Sequence, residues 1–240
     1  MLIPAAVAFG MRIVFAAFNK GLYKNPKAKG LVQFLKAIAF AIVYPILIVA
    51  ACAIIGAFAY SQNIDSMFIK KLLGYKEILY FIVMAAVSPN VLFAFGEEYG
   101  WRGYLLPKLC EVNSKVKAST IVGVVWALYH IPVMILLNVS KFGIIKAIGL
   151  ALIQGGAAFV FSYAFSYSYF ISERVYPLVI MHGFWNSYNP FVLGSIYEGF
   201  VGKVLKKGPI FITNGEGVLG ILLGSIGVVV FIYMIQKQKY

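Results

Sequence analysis

Long apolar runs dominate this chain and leave it little choice of fold. Seven stretches, at 2–18, 31–60, 77–95, 118–137, 144–171, 175–194 and 217–235, are each close to the ~20 residues an α-helix needs to cross the hydrocarbon core of a bilayer. Of the 240 residues, 62% are hydrophobic and 12% charged, and the mean hydropathy is +0.87. A soluble domain carries about twice that share of charge. The runs are continuous and do not alternate as barrel strands would. The expected fold is therefore all-α: a polytopic membrane bundle of about seven to eight transmembrane helices around a central polar cavity. The chain reads as one integral-membrane domain over 1–240, with no repeat and no second domain.

The runs are not equally good. The first contains Pro4 and Arg12, lacks the basic start of a signal peptide, and reads as a shortened or tilted helix, or as the remnant of a longer N-terminus. The second holds Pro45, the fourth Pro132, and the third is broken at Ser88-Pro89-Asn90. Residues 97–117 form an amphipathic stretch, expected to continue as helix and then lie along the interface with a bend at Pro107. The aromatic residues at 159–170 read as a belt or as helix packing, with the lining of a substrate groove as the alternative.

The formal net charge is +13, from 21 Lys and Arg against eight Asp and Glu. In a membrane chain such an excess sets topology and meets anionic headgroups. No basic domain lies outside the apolar runs, so no nucleic-acid partner is expected. The bilayer itself is the expected partner. If the loop bearing Lys20, Lys24, Lys27 and Lys29 is cytoplasmic, alternate loops carry Arg102, Lys108, Lys115 and Lys117, then Arg174, then Lys237 and Lys239. That orientation has the positive-inside bias and places the acidic motif near the cytoplasmic face. A prokaryotic cell membrane is the expected location. Cys52 and Cys110 match no metal or redox spacing and are expected to be free thiols.

Against this background, the polar residues inside the runs stand out. Residues 78–96 carry no charge, and the sequence then reads Glu97-Glu98-Tyr99-Gly100-Trp101-Arg102. Two carboxylates at the edge of an oily segment need a partner or a wet cavity. The chain's two histidines, His130 and His182, both fall inside apolar runs. Glu98 and Arg102 are four apart and share a helix face, as do Trp126 and His130, and His182 and Asn186. Three helices with polar groups on one face are the means by which a bundle builds a central site.

A carboxylate and an imidazole sharing a water constitute general-base chemistry. A second histidine with an asparagine supplies donors for an oxyanion. Glu97, His130 and His182 also make a His₂Glu set, so zinc is the alternative, although no His-Glu-x-x-His occurs. Serine hydrolysis lacks its Gly-x-Ser-x-Gly, and the one Asp, Asp65, is near no histidine. Gly215-Glu216-Gly217-Val218-Leu219-Gly220 matches the dinucleotide spacing but follows no strand and is set aside. Gly220 and Gly224 read as a close-packing pair.

Glu97-Glu98-Tyr99-Gly100-Trp101-Arg102 resembles the Glu-Glu-x-x-x-Arg motif of the CPBP family of membrane proteins. That family includes type II CAAX prenyl endopeptidases and bacteriocin-immunity proteins. Trp126-Ala127-Leu128-Tyr129-His130 resembles its second motif, with Trp126 where the family pattern has Phe. His182-Gly183-Phe184-Trp185-Asn186 resembles its third. All three stand in the family order within a core at about 77–195. The resemblance implies an eight-helix core with a cavity open to cytosol and lipid, and a glutamate-dependent endopeptidase that needs no metal or other cofactor. By that resemblance Glu97 activates water with His130, His182 and Asn186 hold the oxyanion, and Glu98, Arg102 and Trp126 support them. The implied substrate is a peptide or prenylated peptide. A non-catalytic immunity or scaffold protein of the same family is the alternative function, and the sequence is silent on oligomeric state.

Overall fold

The computed structural model describes residues 2–18, 29–88 and 90–237. Lys20, Lys24, Lys27, Pro89 and Lys239, which entered the readings above, lie outside them. The described chain is all-α apart from a two-residue hairpin ladder. In order it comprises α1 (Ile3–Phe18), α2 (Leu31–Ala59), α3 (Ser66–Leu73), α4 (Tyr75–Val87), α5 (Asn90–Gly100), a π-turn (Trp101–Leu105), α6 (Leu106–Cys110), α7 (Lys115–Phe142), α8 (Ile144–Ser172), α9 (Tyr176–Leu193), β1 (Gly194–Ser195), β2 (Phe200–Val201), α10 (Ile210–Thr213) and α11 (Val218–Lys237). The antiparallel ladder pairs Gly194 with Val201.

By length and composition four segments are able to cross a membrane: α2, α7, α8 and the α10–α11 unit Ile210–Lys237. A fifth is added if Ser66–Val87 and Asn90–Cys110, bent by 67°, count as one span. The number is below the seven to eight expected, and the reason lies in two helices. The apolar part of α1 is short, Ile3–Ile13. α9 has 18 residues, but His182, Asn186 and Asn189 lower its hydropathy, and it is buried along most of its length. A helix shielded from lipid by its neighbours needs no apolar surface of its own.

α9 is the axis of the bundle. It packs on α2, α4, α5 and α8, and its Tyr188 hydroxyl donates to the Leu72 carbonyl of α3. Phe184, Tyr188, Leu178 and Val192 are fully buried. α7 and α8 form the most extensive helix pair and lie beside it. The aromatic residues of α8 resolve as packing: Phe161, Phe165, Tyr169 and Phe170 are in the core, and the first two also face the central cavity. Large side chains such as Leu136, Ile145, Phe58 and Val229 point outward, which a bilayer accommodates and water does not.

The breaks follow the sequence. Ser88 precedes a proline and takes extended backbone, φ −72° and ψ 158°, ending α4. At Pro107 the chain does not bend away to the interface. The Leu106 N–H bonds the Trp101 carbonyl, five residues back, and the helix runs on through the π-turn. Arg102, Gly103 and Leu106 are buried, so this stretch enters the bundle. Both cysteines are free. Gly224 lies against Val160 of α8, as close packing requires, whereas Gly220 closes on the Gly215 backbone of its own segment.

Gly183 lets α9 approach α4. A Cβ there would sit 2.9 Å from the Ala85 carbonyl oxygen and 3.2 Å from its Cα. Gly183→Val is expected to cost about 1–3 kcal/mol through overpacking, read as a lower unfolding temperature in detergent. An unchanged temperature would show that this contact does not set the helix spacing.

Candidate active site

Adjacent residues on an α-helix point about 100° apart, so Glu97 and Glu98 serve different neighbours. Both are buried, at 2% and 0% exposure. Glu98 turns into the bundle. The Arg102 guanidinium Nη1 donates to both of its oxygens at 3.1 Å, with neither side chain exposed. The other Arg102 arm, Nη2, donates to Ser162 Oγ of α8 at 3.0 Å. The guanidinium carbon lies 4.2 Å from the Trp126 ring centre and 4.9 Å from that of Phe165. His182 Nδ1, on α9, lies 2.9 Å from Glu98 Oε1. One carboxylate thus ties together the motif helix, α8 and α9.

Glu97 turns toward the cavity. Trp126 Nε1 donates to its Oε2 at 2.8 Å. The same oxygen is 4.0 Å from His130 Nε2. His130 Nδ1 is 2.8 Å from the Trp126 carbonyl oxygen. A carbonyl only accepts, so Nδ1 carries the hydrogen and Nε2 of the neutral ring is left with a lone pair. The same logic applies to His182, whose Nδ1–H donates to Glu98. Each histidine is therefore held by Nδ1. Trp126 positions two partners at once, Glu97 through its indole and His130 through its backbone.

Glu97, Trp126, His130, His182 and Asn186 line one cavity of about 350 Å³. Glu98 and Arg102 stand behind its wall. The two histidines serve different carboxylates: His130 faces Glu97, and His182 is bonded to Glu98. Asn186 lines the cavity from the exposed side of α9. Among the described residues no three His, Cys, Asp or Glu side chains converge to hold a metal ion.

Sequence reasoning missed the far wall. The segment between α10 and α11 folds back so that Glu216 enters the same cavity. Trp185 Nε1 donates to Glu216 Oε1 at 2.7 Å. Asn189 and Asn214 brace the turn: Asn189 Nδ2 donates to Asn214 Oδ1 at 3.1 Å, the Gly215 N–H to Asn189 Oδ1 at 3.2 Å, and the Glu216 N–H to Asn214 Oδ1 at 2.8 Å. Tyr197, in the loop between β1 and β2, also lines the cavity. Burial and the neighbouring Glu216 carboxylate push its phenol well above the ordinary tyrosine value, so it stays a neutral hydroxyl. The available signal was that Glu216 is a lone acid at the start of an apolar run.

The buried pair makes a test of stability. Arg102→Met strands the Glu98 carboxylate and is expected to cost about 3–5 kcal/mol. Glu98→Gln combined with Arg102→Met removes the stranded charge and should recover part of the loss. Thermal unfolding in detergent reads both; a single variant as stable as wild type would show that the pair does not hold the site.

No curated protein and no solved structure matches the chain. A family model does, the Rce1-like type II CAAX prenyl endopeptidase, over residues 76–188. That range contains all three polar motifs, and it stops short of the end of α9 and of Glu216. With its apolar spans, this chain is an integral membrane protein, and its residues 76–188 match the Rce1-like model of the CPBP family.

Proposed function

We propose that the protein is an intramembrane endopeptidase that hydrolyses a peptide bond with a water activated by Glu97 and His130. The observation that carries this reading is the separation of 4.0 Å between Glu97 Oε2 and His130 Nε2 on the cavity wall. It is too long for a direct hydrogen bond and short enough for both groups to hold one water. Trp126 fixes both partners, so little reorganisation is needed at the moment of reaction.

The steps balance without a metal. Glu97 takes a proton from the water while its oxygen adds to the scissile carbonyl carbon. The resulting oxyanion accepts hydrogen bonds from the Asn186 amide and from Nε2 of protonated His182, whose other nitrogen is fixed on Glu98. The C–N bond then breaks, and the proton held by Glu97 passes to the leaving amine. Arg102 acts on this only through Glu98.

The family match supports proteolysis of the CAAX type. The apolar wall at Phe93, Met134, Phe161 and Phe165 suits a lipid-modified or apolar peptide. The distribution of Lys and Arg among the loops supports a site facing the cytoplasm.

Purified protein in nanodiscs is to be assayed on a C-terminal prenylpeptide, its unprenylated counterpart and a peptide library. Glu97→Gln and His130→Ala are each expected to lower turnover by about 10²–10⁴-fold, and a chelator is expected to leave the wild-type rate unchanged. Equal rates for wild type and Glu97→Gln would overturn hydrolysis by this site and favour a non-catalytic role. Loss of activity on chelation, restored by zinc, would overturn the metal-free step.

A further inference from the structure

The central cavity is charged against the grain of the chain. Basic residues outnumber acidic ones 21 to eight, yet three of those eight, Glu97, Glu198 and Glu216, line this cavity, and none of the described Lys or Arg does. Arg102 comes nearest in the fold but is fully buried behind the wall and engaged with Glu98 and Ser162.

Glu216 is held in a built cradle. Trp185 Nε1 fixes one carboxylate oxygen, and the Asn189–Asn214 network fixes the turn beneath it. Among the described residues no basic nitrogen comes within 4.0 Å of it. A second observation points the same way. Gln154 Oε1 is a buried atom of a cavity-lining residue and has no hydrogen-bond partner. An amide oxygen only accepts, so what this part of the wall lacks is a donor. A ligand that brings only donors and a positive charge answers both deficits. Lysine ammonium and arginine guanidinium are the peptide groups with that inventory.

We infer that Glu216 is a specificity-determining residue that receives a Lys or Arg side chain of the peptide substrate in this cavity. The inference rests on the proteolytic reading for its assay but not for its physics. A cavity lined by carboxyl groups and no basic side chain attracts cations whether or not it cuts them. Glu97 lies in the same cavity, so the basic side chain is bound close to the bond to be hydrolysed. The apolar wall takes the neighbouring residues.

The test uses the full chain in nanodiscs and pairs of peptides identical except for Lys or Gln at one position, placed in turn at each site flanking the cut. Wild type is expected to prefer the Lys peptide by about tenfold in kcat/KM at one such position. Glu216→Gln keeps an oxygen for Trp185 Nε1 but loses the charge, and should bring the ratio to about one. Glu216→Lys should reverse the preference toward a Glu-containing peptide, and Glu216→Asp should retain it. A purely structural role would lower both peptides together and leave the ratio unchanged. A wild-type ratio near one at every position overturns the inference while proteolysis stands. If neither peptide is cut, the same pairs, fluorescently labelled, are scored by binding anisotropy. A Lys preference lost in Glu216→Gln upholds the inference without the protease; equal binding, or none, overturns it.

Discussion

The Glu98–Arg102 pair is the interaction on which the rest of the site depends. Both side chains are wholly removed from solvent, in a bundle whose outer surface is apolar. A buried ion pair of this kind adds little net stability over a well-packed apolar core, while losing one partner is expensive. Its value here is geometric. The guanidinium fork reaches Ser162 on α8, and the carboxylate reaches His182 on α9. Two helices that could slide against each other in an oily bundle are thereby held in one register. The π-turn that contains Arg102 is part of the same device: it begins three residues after Glu98, and such turns concentrate where a helix has a task beyond packing.

How much of this was legible in the sequence follows from distance along the chain. Pairs four residues apart were readable because helix geometry alone brings them together. Glu98 with Arg102 and Trp126 with His130 are of this kind. The partnership of His182 with Glu98 spans 84 residues and depends on how α9 crosses α5, which no local pattern encodes. Glu216 was harder still. Its neighbours Gly215 and Gly217 gave a spurious nucleotide-loop spacing, and its place in the cavity is created by the turn between α10 and α11. The expected seven to eight spans exceed the four or five that length and composition support among the described residues, for a related reason. Hydropathy detects apolar runs, but it does not distinguish a lipid-facing helix from one wrapped by its neighbours.

α9 illustrates that limit. It carries His182, Asn186 and Asn189 on a helix whose other faces are filled by Leu178, Phe184, Tyr188 and Val192. Such a helix would be poorly accommodated alone in lipid. Its position at the centre of the bundle is what lets polar side chains exist at this depth, and the hydrogen bonds to Glu98, Asn214 and Gly215 satisfy several of them. The candidate site and the core are therefore made by the same helix, one on each side of it.

Trp126 stands between the two adjacent carboxylates. Its ring faces the Arg102 guanidinium on one side of the wall, while its indole N–H holds Glu97 on the other. The indole separates a neutralised carboxylate from one without a cation of its own. Two consecutive glutamates on a helix diverge by about 100°, which is enough to put one on each side of that ring. A single glutamate would have to choose between fixing α9 and facing the cavity. The pair does both, and the arginine four residues on decides which glutamate is fixed. Glu97 is left facing the cavity because Glu98 is already committed.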